Sequence, residues 1–228
     1  MPIVLTPAVA DAPTITFDDM VGDISVFLPG CPEPTIARTA RKIIIDLCQR
    51  AKVWERDFAP VSVLAGQVTS LLTPPVLYAT CTDITSAYFV VDGERIPLTW
   101  MPYNEVTRAY PKWPDDTPST PRFITLESIG RVNLAPLPDT SGVLYVRGNL
   151  RPTPTATVWD QSLYYEFQRA IFHGVLFELM SMNNRSWTDA KGATVNGRQW
   201  TQLLAAARDR AQRGFNSDDL AVQMQPFA

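Results

Sequence analysis

Between Pro29 and Asp57 the apolar residues Ile36, Ala40, Ile43, Ile44, Leu47, Cys48, Ala51 and Trp54 recur every three or four positions. That period marks one buried face of an α-helix. Pro34 suits an early helical position, and Asp46 with Arg50 forms an i, i+4 pair. Arg38, Arg41, Lys42, Gln49 and Lys52 fall on the opposite side, and Ile45 stands among these polar positions. Ile45 is then either an ordinary exposed isoleucine or part of a second packing surface completed by another subunit.

From Pro60 to about Pro154 the period shortens. The runs VSVLAG, VLYATCT, AYFVV, RIPLTW, RFITLE, RVNLAP and VLYVRGN read as strands separated by turn residues. Asp92-Gly93 between two of them predicts a two-residue hairpin, because its turn needs positive φ at both positions. These features predict an antiparallel β domain. The proline-dense stretch Tyr110–Arg122 supplies too few N–H donors to continue a ladder and is expected to be an exposed loop.

Helical spacing returns with Trp159, Leu163, Phe167, Ala170, Ile171, Gly174, Phe177 and Met180, and stops near Met182–Asn184. A third helix is expected from about Gly197 to Arg213, with Trp200, Leu203, Leu204, Ala207 and Ala211 inward and Gly214 as its stop. Arg208, Arg210 and Arg213 crowd its last turns, where cations suit the helix dipole. The expected class is α+β: a helical bundle of the first helix and the last two, with an antiparallel β-sandwich or barrel-like lobe inserted between them. The boundaries are an N-terminal acidic arm (1–30), the first helix (31–57), the β domain (58–154), the second and third helices (155–214) and a C-terminal tail (215–228).

Charge refines this picture. The chain has 228 residues, 46% of them hydrophobic, and a net charge of −3. Asp11, Asp18, Asp19 and Asp23 lie in an N-terminal stretch without a base, and Asp218 and Asp219 in a C-terminal one. Setting those six aside leaves 17 acids against 20 bases, so a mildly basic body carries two acidic ends, expected to be solvated or to bind a basic partner. A pI near 5.2 argues against a free-standing DNA binder. No run approaches the length of a membrane span, and the start PIVLTPAVA lacks the basic region of a signal peptide.

Candidate chemistry is sparse. Cys31, Cys48 and Cys81 are odd in number and show no metal-ligand spacing, so buried free thiols are expected and no metal or cofactor is implied. His173, the single histidine, sits in an apolar helix and is expected to be structural. There is no GxSxG, no phosphate-binding GxxxxGK[ST] and no GxGxxG. Glu166 and Glu178 are the carboxylates on the second helix, with nothing local to mark either as an acid catalyst.

Four stretches in order carry a resemblance. They are PGCPEPTIARTARKIIIDLCQRAKVWERD with its closing Trp54, the V-x-V-x-x-G of Val61–Gly66, DGERIPL of Asp92–Leu98, and RVNLAPLPDTSGVLYVRGNLRP of Arg131–Pro152. Together, over residues 27 to 214, the chain resembles the head-to-tail connector (adaptor) proteins of tailed bacteriophages, in particular the tail-tube or gatekeeper-like adaptors of short-tailed phages. The resemblance implies a structural virion protein assembled in the host cytoplasm. It implies a homo-oligomeric ring of about twelve copies by analogy with portal symmetry, bound under the portal protein. It further implies that the ring extends the channel for double-stranded DNA, without sequence-specific contacts, and carries tail nozzle or tail fibre proteins.

Under that resemblance the candidates for subunit or portal contacts are Arg38, Arg41, Lys42, Ile45, Arg208, Arg210, Arg213 and Phe227. Tyr110, Lys112, Trp113, Asp115 and Asp116 are the candidates for a tail-side loop. Two other classes are carried beside it. One is a cell-wall (peptidoglycan) hydrolase of the tail, which needs a carboxylate in a cleft. The other is a β-lobed receptor- or glycan-binding module using Trp100, Tyr103, Tyr110 and Trp113.

Overall fold

Residues 13–114 and 117–213 are described by the computed structural model, and they adopt the expected α+β class. The described residues open with β1 (Thr14–Thr16) and α1 (Val21–Ser25), within the stretch expected as an acidic arm. Phe17, Met20, Val21, Ile24 and Leu28 are all buried, and β1 pairs with a strand from the far end of the β region. Burial of five large apolar side chains outweighs the acidic composition; Asp18, Asp19 and Asp23 simply stay on the outer side. Residues 1–12 lie outside the described residues.

Helix α2 (Glu33–Ala51) buries the predicted stripe, and Asp46 and Arg50 pair at 3.1 Å. It ends short of the predicted Asp57. Lys52 takes the left-handed conformation (φ 55°), and its N–H closes on Cys48 O. The chain then reverses into β2 (Glu55–Asp57). Trp54 leaves the helix because its ring belongs to the core, 6.0 Å from Tyr78 and 6.4 Å from Trp159.

The strands that follow are β3 (Val61–Val63), β4 (Thr69–Leu71), β5 (Ala79–Val91) and β6 (Glu94–Trp100). Helix α3 (Tyr103–Ala109) precedes β7 (Phe123–Ser128), β8 (Arg131–Ala135), β9 (Gly142–Pro152) and β10 (Val158–Asp160). Among the described residues β1 pairs only with β10, and the others form a curled sheet in the order β2-β9-β5-β6-β7-β8-β4, with β3 also on β9. The Asp92-Gly93 hairpin forms as expected, with φ of 50° and 87°. The expectation of a purely antiparallel domain fails at one place: β6 and β7 run parallel. A parallel pair needs a long crossover, and the proline-dense connection carrying α3 is that crossover.

That connection is not simply an exposed loop. Trp113 is only 8% exposed, packs with Val106, Ala135 and Leu137, and donates from Nε1 to Leu134 O at 3.1 Å. Prolines rule out a ladder but do not stop a neighbouring indole from being buried.

Helix α4 (Gln161–Met180) is capped by the Asp160 carboxylate, which accepts from the N–H groups of Ser162 and Leu163. Helix α5 (Ala190–Gln212) begins a full two turns before the expected Gly197, at an Asp189 cap. Gly197 sits inside it, where a Cβ would lie 2.8 Å from the Phe177 ring. The expected stop at Gly214 falls outside the described residues. One main core runs without interruption from α2, α4 and α5 through the inner face of the sheet.

Candidate functional site

Arg38, Arg41, Lys42 and Ile45, predicted to share one helix face, do so, and they line a groove of about 890 Å³. Its walls are the turn around Asp18 and Pro154 on one side and Glu178 and Met182 at the end of α4 on the other. Sequence spacing on α2 locates the floor of the groove. The walls come from far along the chain, and no local signal marks them.

Each basic residue has a different status. Arg41 is committed within its own chain: Nη1 donates to Pro154 O at 3.2 Å, and the guanidinium lies 5.1 Å over the Phe17 ring. Lys42 forms an ion pair with Glu178, which links α2 to α4. Arg38 is exposed and makes neither a hydrogen bond nor an ion pair among the described residues. Ile45 is half-buried at the junction with a second hollow of about 420 Å³ that continues along α2 past Gln49 and Phe177. The groove therefore offers one uncommitted cation beside apolar surface.

The remaining predicted residues do not converge here. Arg208 lines a separate cleft of about 390 Å³ with Arg50, Lys52 and Glu55, where the helices meet the sheet. Arg210 forms an ion pair with Glu166 on α4, and Arg213 is exposed at the end of α5. On the crossover, Lys112 is exposed and Tyr110 half-buried, with its ring 6.0 Å from Phe123. Burial of Trp113 removes it from any contact surface and from the glycan-binding set. Asp115, Asp116 and Phe227 lie outside the described residues.

Sequence spacing also left an exposed apolar point unmarked. Val26 and Phe27 follow α1 at 78% and 55% exposure, and the Phe27 ring meets Phe172 of α4 edge-on at 5.1 Å. The signal was the pair Val26-Phe27 breaking the buried spacing of Val21, Ile24 and Leu28.

His173 has a structural partner. Its Nδ1 lies 2.8 Å from Asn196 Oδ1, and Asn196 in turn donates to Gly192 O at 2.9 Å, which pins α4 to α5. The two glutamates considered as acids are each engaged by a cation, Glu178 by Lys42 and Glu166 by Arg210. Neither stands alone in an apolar cleft, the setting that raises a catalytic carboxyl. Among the described residues no group of three or more His, Cys, Asp or Glu is placed to hold a metal ion, and no helix is long and apolar enough to cross a membrane. Burial raises the thiol pKa of Cys48 and, less strongly, of Cys31; the Cys81 thiol is pushed up to about 11 by burial first and by the nearby Asp83 charge.

The groove thus combines the cations of α2 with apolar side chains such as Ile45, Pro154 and Met182. Comparison with known families gives the class: the SU10 adaptor protein family matches residues 15–225, and the chain belongs to it. This makes it a structural adaptor of bacteriophage particles. No curated protein matches in sequence. The matched span begins at β1, so it includes the packed N-terminal elements as well as the stretches that carried the resemblance.

Proposed function

We propose that the protein is a head-to-tail adaptor whose copies form a ring, twelve by analogy with portal symmetry, beneath the portal vertex of the virion. The ring extends the channel for double-stranded DNA without sequence-specific contacts and attaches the tail nozzle or tail fibres. The observation that carries this reading is the adaptor family match across residues 15–225. The groove on α2 is compatible with it: exposed Arg38, without an ion pair among the described residues, stands near half-buried Ile45 on the side of α2 away from its core.

Within this reading Arg38, Ile45, Arg208 and Arg213 are the residues still open to a partner. Arg41, Lys42 and Arg210 act mainly by holding the bundle that presents them. The crossover presents Lys112 and the rim of Tyr110 as the tail-side contact. Native mass spectrometry of the protein, alone and mixed with the portal ring from the same genome, tests the proposal. Loading of about twelve copies, the portal symmetry assumed above, is the expected result. A protein that stays monomeric in the presence of that portal would overturn it and make cell-wall lysis and glycan binding the next assays.

A further inference from the structure

Helices α2 and α4 meet where Gly174 admits Ile43: a Cβ on Gly174 would lie only 2.7 Å from Ile43 Cγ2. At about 100° per residue, positions two apart on a helix point about 160° away from each other. Ile45 therefore faces away from this contact on α2, and Phe172 faces away from it on α4. The two outward faces are therefore different surfaces of the chain, the α2 groove being walled by Glu178 and Met182 at the end of α4 and by Asp18.

Their chemistry is complementary. The α2 face holds the groove, with Arg38 unpaired seven residues, or two turns, before Ile45. The α4 face carries the exposed Val26-Phe27 point seated on Phe172. Beside that point Asp23 is exposed, its carboxylate accepting, among the described residues, only from the neutral amide of Gln168 at 3.2 Å. An unpaired cation in a groove of mixed polar and apolar lining thus answers, on another surface, an unpaired acid by an apolar projection. Complementary charge beside exposed apolar groups is the arrangement by which contact surfaces select and orient a partner.

We propose that the occupant of the α2 groove is a second copy of this chain, which inserts Val26 and Phe27 beside Ile45 and sets its Asp23 against Arg38. The contact is head-to-tail, using different surfaces on the two copies, so it repeats from copy to copy and generates a ring when the rotation closes. It rests on the ring reading above and names the surfaces that ring would use.

Charge exchange tests it. Arg38→Glu and Asp23→Lys are prepared separately, their folds checked by thermal melting, and their loading onto the portal ring followed by native mass spectrometry. Each variant alone is expected to lose full rings, since every contact then opposes like charges. An equimolar mixture of the two is expected to recover them, because alternating copies set the introduced glutamate against the introduced lysine at one contact and keep Arg38 against Asp23 at the next. If both variants melt like the wild type and load as fully as it does, the ring stands and this contact is wrong. Failure of the mixture to recover rings likewise overturns the contact. A wild-type protein that never loads overturns the ring and the contact together.

Discussion

Arg56 on β2 reaches across to Asp160 at the start of α4, Nη2 to Oδ2 at 2.7 Å, and so ties the strand that follows the first long helix to the cap of the second. The pair is lopsided: the Asp160 side chain is 2% exposed and that of Arg56 45%. The same carboxylate accepts from the backbone of Ser162 and Leu163. Asp160→Ala removes the cap and the ion pair together, while Arg56 remains wet enough to hydrate its charge. A loss of about 2–4 kcal/mol is expected in urea unfolding, between the cost of a cap alone and that of a fully buried pair broken from one side. Asp160→Asn, which retains one capping acceptor, is expected to lose less.

Gly174 lies where α2, α4 and α5 converge. Besides Ile43, a Cβ there would come within 3.0 Å of the Trp200 ring. Alanine is intrinsically a better helix former than glycine by about 1 kcal/mol. Both neighbours are branched or planar core groups with little room to yield, so overpacking of about 1–3 kcal/mol is expected to win. Gly174→Ala should therefore lower the melting temperature, and an unchanged or higher value would show that the three-helix junction relaxes freely.

The thiols give a pH dependence with a defined sign. The folded state holds the Cys81 proton more tightly than the unfolded chain does, from an ordinary value of 9.0 up to about 11. The group's contribution to stability is therefore complete below about pH 9 and declines as pH rises from there through 11, because only the unfolded chain then gains by ionising. Cys48, fully buried, acts in the same direction. Unfolding midpoints measured from pH 8 to 11 are expected to fall, with a shallower slope in Cys81→Ala once its lower starting stability is subtracted. Alkylation of the native protein at pH 8 should reach half-buried Cys31 first, since reactivity follows the exposed thiolate.

The parts legible in the sequence were those fixed by local periodicity. The stripe of α2, the apolar face of α4 and the Asp92-Gly93 turn each depend on residues within a few turns of one another. The basic face of α2 was legible for the same reason, and it proved to be the floor of the groove. What was hidden depended on distant partners. Lys52 ends α2 in a left-handed conformation for which lysine carries no signal. The parallel pairing of β7 with β6 is a choice of neighbour, and both strands read alike either way. Glu178, Met182 and Pro154 become walls of the groove only after α4 and the β9–β10 turn have folded against α2.

Beneath the crossover lies a polar row whose cost is measurable. Thr69, Asn133 and Thr125 are register neighbours across β4, β8 and β7. Asn133 Nδ2 reaches Glu127 at 3.3 Å, but Asn133 Oδ1 and the Thr125 hydroxyl have no partner among the described residues, although Thr125 is wholly buried. An unsatisfied buried hydroxyl costs about 1–3 kcal/mol, and valine keeps the β-branched shape that suits a strand. Thr125→Val is therefore expected to stabilise the fold by about 1 kcal/mol, or roughly 2–4 °C for a chain of this size. A loss of stability instead would mean that a buried water bridges Thr125 and Asn133 and satisfies both. In that case Asn133→Leu, which removes the other end of the bridge, should cost little more when added to Thr125→Val, and the double-mutant cycle would report the coupling.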